Sequence, residues 1–89
     1  MKAVITVIGK DTVGIIASVS EVLSRHHINI SDITQSVLQD LFAMIMLVDI
    51  SRSDVEFSAL KAQLEQMGSD LGLDIHVMHE QVFNDMHRV

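Results

Sequence analysis

Apolar residues fall into six periodic segments along the chain. Residues 2–8 are a β-branched run with the composition of a strand. Gly9, Lys10, Asp11 and Thr12 interrupt it. From Val13 to His26, Val13, Ile16, Val19 and Leu23 recur at helical spacing, with Ile15 and Val22 widening the stripe. Asp11 or Thr12 is placed to cap this helix by accepting an amide of its first turn. Ile28 to Val37 predicts a second strand whose apolar phase slips near Ser31 and Asp32, the mark of a bulge. Gln39-Asp40 makes a tight reversal into a third strand, Leu41 to Ile50. That strand is apolar on both faces and is expected to be central and covered on both sides.

Ser53 and Glu56 have the spacing of a capping box before a second helix. Phe57, Leu60, Leu64, Met67 and Leu71 form its core stripe, and Gly72 is placed to end it, with Gly68 an earlier candidate. Leu73, Ile75 and Val77 alternate with polar residues and Met78 as a fourth strand, and Gln81 to Val89 can add a short helix carrying Val82, Phe83 and Met86. The order βαββαβ predicts an α+β, ferredoxin-like sandwich with a four-stranded antiparallel sheet and two helices on one face. Right-handed crossovers put the first and third strands in the middle. The other face of the sheet then carries apolar side chains with no helix over them. A tail, a second subunit or both must cover it, so a homo-oligomer, dimer or tetramer, is expected.

Composition narrows the function more than the fold. Eighty-nine residues fit one domain, residues 1–89, with 80–89 as its tail. A formal charge of −6 and three aromatics, all Phe, argue against a nucleic-acid partner. There is no cysteine, so disulfides and thiolate metal sites are excluded. The longest unbroken apolar run, Leu41 to Val48, is far too short for a bilayer span. The N-terminal residues read as a strand and not as a secretion signal. A soluble cytoplasmic protein without membrane contact is the expectation.

Candidate chemistry concentrates at the turn before the first helix. Gly14 stands in what reads as the helix's opening turn, where a glycine costs about 1 kcal/mol relative to alanine. One reading is close approach of a ligand: free amides and the helix dipole favour a carboxylate, and Asp11 accepts from an ammonium. A zwitterionic amino acid fits both poles. The other reading is a helix cap with a glycine required by packing. Both remain open on these residues alone.

Asp11-Thr12-Val13-Gly14-Ile15, followed by His27-Ile28-Asn29-Ile30, resembles the signature of the ACT domain, and the resemblance extends over essentially the whole chain. The segment Gln39 to Ile50 and the ending Met86-His87-Arg88-Val89 are similar to a bacterial and archaeal family of stand-alone ACT proteins. These in turn resemble the ACT domains of the glycine cleavage system transcriptional repressor. The resemblance implies a regulatory module that binds an amino acid or related metabolite between the first turn of one subunit and the second strand of its neighbour. Carried over, it points to Asp11, Thr12, Val13, Gly14, Ile15 and Asn29 as ligand-binding residues, Asn29 because its amide both donates and accepts. Val13 stands where many ACT domains have proline. The alternative is a ligand-free dimerisation or docking module that regulates a partner enzyme or transcription factor.

No catalytic residue and no cofactor is expected: the chain has no serine–histidine signature and no phosphate-cradling glycine loop. His26 and His27 read as a solvated helix terminus. His76 and His79 have the odd spacing that puts them on opposite faces of a strand. Only if that strand ends early could they converge with Glu80 or His87 on a metal, and no native metal site is expected.

Overall fold

A computed structural model describes residues 1–10 and 14–86. The elements follow the expected order: β1 (Lys2–Lys10), α1 (Ile15–Arg25), β2 (Asn29–Leu38), β3 (Leu41–Asp49), α2 (Phe57–Leu71), β4 (Asp74–His79) and α3 (Glu80–Met86). The four strands form one antiparallel sheet in the order β2-β3-β1-β4, so the first and third strands are central as the crossover rule requires. The register of β2 on β3 shifts between Ile30 and Asp32, at the predicted bulge, where Asp32 turns its carboxylate back to accept the amide of Ile33.

Ala3, Ile5 and Val7 of β1 and Phe42, Met44, Met46 and Val48 of β3 form one face of the sheet. They pack in one core with Ile15, Val19, Val22 and Leu23 of α1 and Leu60 and Leu64 of α2. No polar side chain is buried among the described residues. Gly68 is not a helix end. It lies inside α2, buried, where a Cβ would stand 2.8 Å from Cγ1 of Ile75, so its missing side chain lets α2 lie close to β4.

Local expectations for both long helices are corrected. The first helix starts at Ile15, and its N-cap is Gly14 in the left-handed region (φ 82°), with no side-chain cap. Asp11 and Thr12, the expected caps, lie outside the described residues, and Gly14 precedes the helix rather than standing inside its first turn. The stripe is also rotated: Ile16 is 37% exposed and Ile15 takes its place in the core. The capping box does not form either. The second helix starts only at Phe57, and Ser53 bonds locally, its Oγ accepting from the amide of Val55 and donating to the carbonyl of Val55. Such local bonding competes with a cap at longer range.

The sheet has the open face that the helix arrangement predicts. Within the chain β3 is covered on one side only: Leu41 and Ile45 are more than two-fifths exposed on the other. Both long helices share the first face, and the short α3 contacts β1 and β4 instead. Val4, directed away from the helix-covered core, is 3% exposed.

Both long helices end in the same hydrogen-bond pattern. In α2, Leu73 N–H donates to Gly68 O and Gly72 N–H to Ser69 O, with Gly72 at φ 75°. In α1, Ile28 N–H donates to Leu23 O and His27 N–H to Ser24 O, with His27 at φ 60°. This is the Schellman motif, and in the second case a histidine occupies the position that usually takes glycine. Leu23 and Ile28, the two residues the motif brings together, are both buried.

Candidate functional site

The register of the sheet places the two halves of the predicted ligand site at opposite ends of the molecule. Lys10, the last residue of β1, pairs with Leu41, which pairs with Leu38; Gly14 follows this end. Asn29 opens β2 opposite Asp49, which pairs with Lys2 at the far end. Strand geometry separates the two ends by on the order of 30 Å. A single chain therefore does not bring them together.

Gly14 is exposed and carries no side chain, and Ile15 is 4% exposed with its side chain committed to the core. These two residues can offer a ligand only backbone. Asp11, Thr12 and Val13 lie outside the described residues. Lys10 stands beside them, its Nζ 3.8 Å from Asp40 across the hairpin end, both side chains largely exposed. Asn29 is exposed.

A groove of about 910 Å³ surrounds Asn29, between the last turns of α1, the start of β2 and the loop after β3. Leu23 and Ile28 form its apolar base, and Ser24, His27 and Arg52 bring polar groups to it. Asp49 also lines it, and its carboxyl is held below the usual carboxylate range, first by hydrogen bonding from Ser51. The amide of Ser51 donates to Asp49 Oδ1 at 2.9 Å, and the Ser51 hydroxyl oxygen accepts from the N-terminal ammonium at 2.9 Å. Sequence reasoning missed Ser24, His27 and Arg52 as neighbours of Asn29. The one available signal was a histidine, rather than a glycine, at the helix exit two residues earlier.

The two adjacent histidines have separate roles. His26 is no solvated terminus: its Nδ1 lies 2.8 Å from Asp54 Oδ1 and its Nε2 3.0 Å from Gln63 Oε1, with the side chain 15% exposed. It ties the end of α1 to α2 and to the loop before it. His27 points out into the groove. His79 stacks on Phe57 with ring centroids 3.8 Å apart, whereas His76 is exposed. The two do not converge, and His87 lies outside the described residues. No group of three metal-ligating side chains occurs among the described residues.

The two edges of the sheet differ. On β4, the Val77 backbone is engaged by side chains of α2: Lys61 Nζ donates to its carbonyl at 3.1 Å, and its amide donates to Glu65 Oε2 at 3.4 Å. Lys61 and Glu65 also bond each other, which holds the Glu65 carboxyl below its ordinary range. On β2 every residue is exposed, including Ile30, Ile33 and Val37 on the helix side of the sheet. An edge strand with one open side and exposed β-branched residues is a template for another strand.

Comparison with known proteins places this geometry in context. The ACT domain model matches residues 2–78. The UPF0237 protein of Methanopyrus kandleri is 53% identical over 88 residues, covering 99% of this chain and 98% of that protein. The UPF0237 protein of Clostridium acetobutylicum is 53% identical over the full length of both. Among solved structures, an ACT domain protein from Streptococcus pneumoniae superposes with a TM-score of 0.80 at 38% identity over 93% of each chain. The regulatory subunit of aspartate kinase from Thermus thermophilus gives 0.64 at 25% identity, over 85% of this chain and 49% of that one. No described helix is long and apolar enough to cross a membrane.

Proposed function

From the premise that this chain belongs to the ACT domain family, we propose that it is a homodimeric sensor of amino acids or related small metabolites, with a binding site divided between two copies. ACT domains are regulatory modules, typically amino-acid sensors, and nothing in this reading asks the chain to catalyse a reaction. The observation that carries the proposal is the arrangement of the sheet. The first turn and Asn29 stand at opposite ends of one chain, and the strand along which a second copy would pair, β2, has an open edge. Antiparallel pairing of two β2 strands about a two-fold axis reverses one copy end for end. Asn29 of one protomer is thereby carried to the end of its partner where β1 finishes at Lys10 and Gly14 opens the first helix. The engaged backbone of β4 leaves β2 the freer edge.

In this assembly the ligand carboxylate faces the backbone amides around Gly14 and Ile15, where hydrogen bonds and the helix dipole both favour an anion. Asp11 takes the ammonium, and the Asn29 amide of the neighbouring copy bonds the polar head. Ligand binding at such a seam favours whichever dimer arrangement holds it more tightly, and that difference in affinity is what a regulated partner would sense. The solved neighbour named as the regulatory subunit of aspartate kinase supports a regulatory role.

Thermal unfolding against a panel of the common amino acids tests the proposal, repeated with Asp11→Ala and Asn29→Ala. One or a few amino acids should raise the midpoint in the wild-type chain, and both substitutions should abolish the rise. Dimers that no amino acid stabilises would instead leave the ligand-free docking module as the reading.

A further inference from the structure

The groove beside Asn29 carries more chemistry than a polar head requires. Its base is apolar, Leu23 and Ile28, and its side-chain cation is the guanidinium of Arg52. This chain has twelve acidic and six basic residues, and Lys10, Arg25 and Lys61 each hold a carboxylate. Among the described residues Arg52, exposed at the groove beside Asn29, has no such partner. Asp49, the acid in the same groove, accepts from the Ser51 amide, and its charge faces the N-terminal ammonium and Lys2. The N-terminal ammonium stands close by, bonded to the Ser51 hydroxyl. Among the described residues, then, Arg52 brings to the groove a side-chain cation with no carboxylate in ion-pair distance.

His27 adds a second donor. Its backbone sits in the left-handed region, which glycine occupies at no steric penalty, yet a side chain is kept here and lines the groove. Strained conformations of this kind cluster at binding sites. With the Ser24 hydroxyl, these side chains present donors above an apolar base, the arrangement that suits a short aliphatic arm ending in an anion.

We propose that this groove receives the side chain of the bound amino acid and selects an acidic one, with Arg52 as the counter-charge and His27 and Ser24 as further donors. The inference rests on the amino-acid reading above and names its ligand class. An arginine fork pairs with a carboxylate through two parallel hydrogen bonds, whereas a side-chain amide offers it a single uncharged oxygen.

The test is calorimetric titration of the full chain with L-aspartate, L-glutamate, L-asparagine, L-glutamine and succinate, before and after Arg52→Gln. Arg52 is exposed, and an unchanged unfolding midpoint will verify that the substitution leaves the fold intact. The wild-type chain should bind one acidic amino acid about tenfold tighter than its amide. Arg52→Gln should bring that ratio near one while leaving the affinity for the amide in place, and Arg52→Lys should fall between. Equal binding of acid and amide, or a ratio that survives Arg52→Gln, would overturn the inference and leave the amino-acid sensor standing. Arg52-dependent binding of succinate with no amino acid bound would uphold the carboxylate groove and defeat the shared amino-acid site. No binding by any of the five defeats the inference.

Discussion

His27 and Gly72 occupy equivalent positions, each the left-handed residue that closes a helix, at φ 60° and 75°. A side chain in this conformation costs about 1–2 kcal/mol, while glycine gives back about 0.5–1 kcal/mol through the entropy of the unfolded chain. Nothing lies within 4 Å of a Cβ built on Gly72, so an alanine there meets only the conformational penalty. Gly72→Ala should therefore lower stability by about 1 kcal/mol, and His27→Gly should leave it unchanged or raise it by up to about 1 kcal/mol, both read by urea denaturation. A destabilised His27→Gly would mean that the imidazole supports the fold rather than the groove. Gly72 was legible in the sequence as a helix end because glycine is the usual residue there. His27 was not, because a histidine at a helix exit reads first as a charge facing the dipole. Gly14 was legible as special but misplaced by one structural step, as the residue before the helix rather than within its first turn.

At the scale of elements, the six predicted segments, the bulge in β2 and the short terminal helix all occur, because each rests on a strong period or a clear break. What failed depended on a choice between near-equivalent partners: the Ser53 hydroxyl bonds the nearby Val55 rather than the amide of residue 56. The contact of α2 with β4 could not be read at all, since Lys61 and Glu65 look like an ordinary solvated pair until Val77 is brought beside them. It has a consequence for pH. The Glu65 carboxyl is lowered from 4.5 by hydrogen bonding to Lys61, so its ionised form favours the folded state. That contribution is fully present above the unfolded value and is lost as pH falls through the lower folded one. The unfolding midpoint should therefore drop as pH is taken below about 4.5, and Glu65→Gln should flatten that drop, leaving the part due to Asp49, whose carboxyl is lowered too. An identical pH profile in the variant would mean that the contact of Glu65 with Lys61 and Val77 does not stabilise the fold.

For the whole molecule, the sheet leaves two apolar surfaces outside its core. One is the helix-free face with Ile8, Leu41 and Ile45, and the other is the β2 stripe of Ile30, Ile33 and Val37. The sequence made the first legible, because β3 is apolar on both faces, whereas the second emerged only when the helices proved not to extend over the edge strand. Ile33 is 37% exposed, so Ile33→Lys should leave the fold of one chain intact while placing a charge on the β2 seam. Sedimentation should find the wild-type chain dimeric at tens of micromolar and the variant monomeric with an unchanged circular dichroism spectrum. A dimer that survives the substitution would move the interface to the helix-free face. The central claim, that each site takes Asp11 from one copy and Asn29 from the other, has a more direct test: chains carrying Asp11→Ala are mixed with chains carrying Asn29→Ala, and bound ligand is measured after subunit exchange. Neither variant alone should bind. The mixture should recover about a quarter of the wild-type stoichiometry, because half the dimers are mixed and each of those holds one intact site. Mixed dimers that form and bind nothing would contradict the shared site.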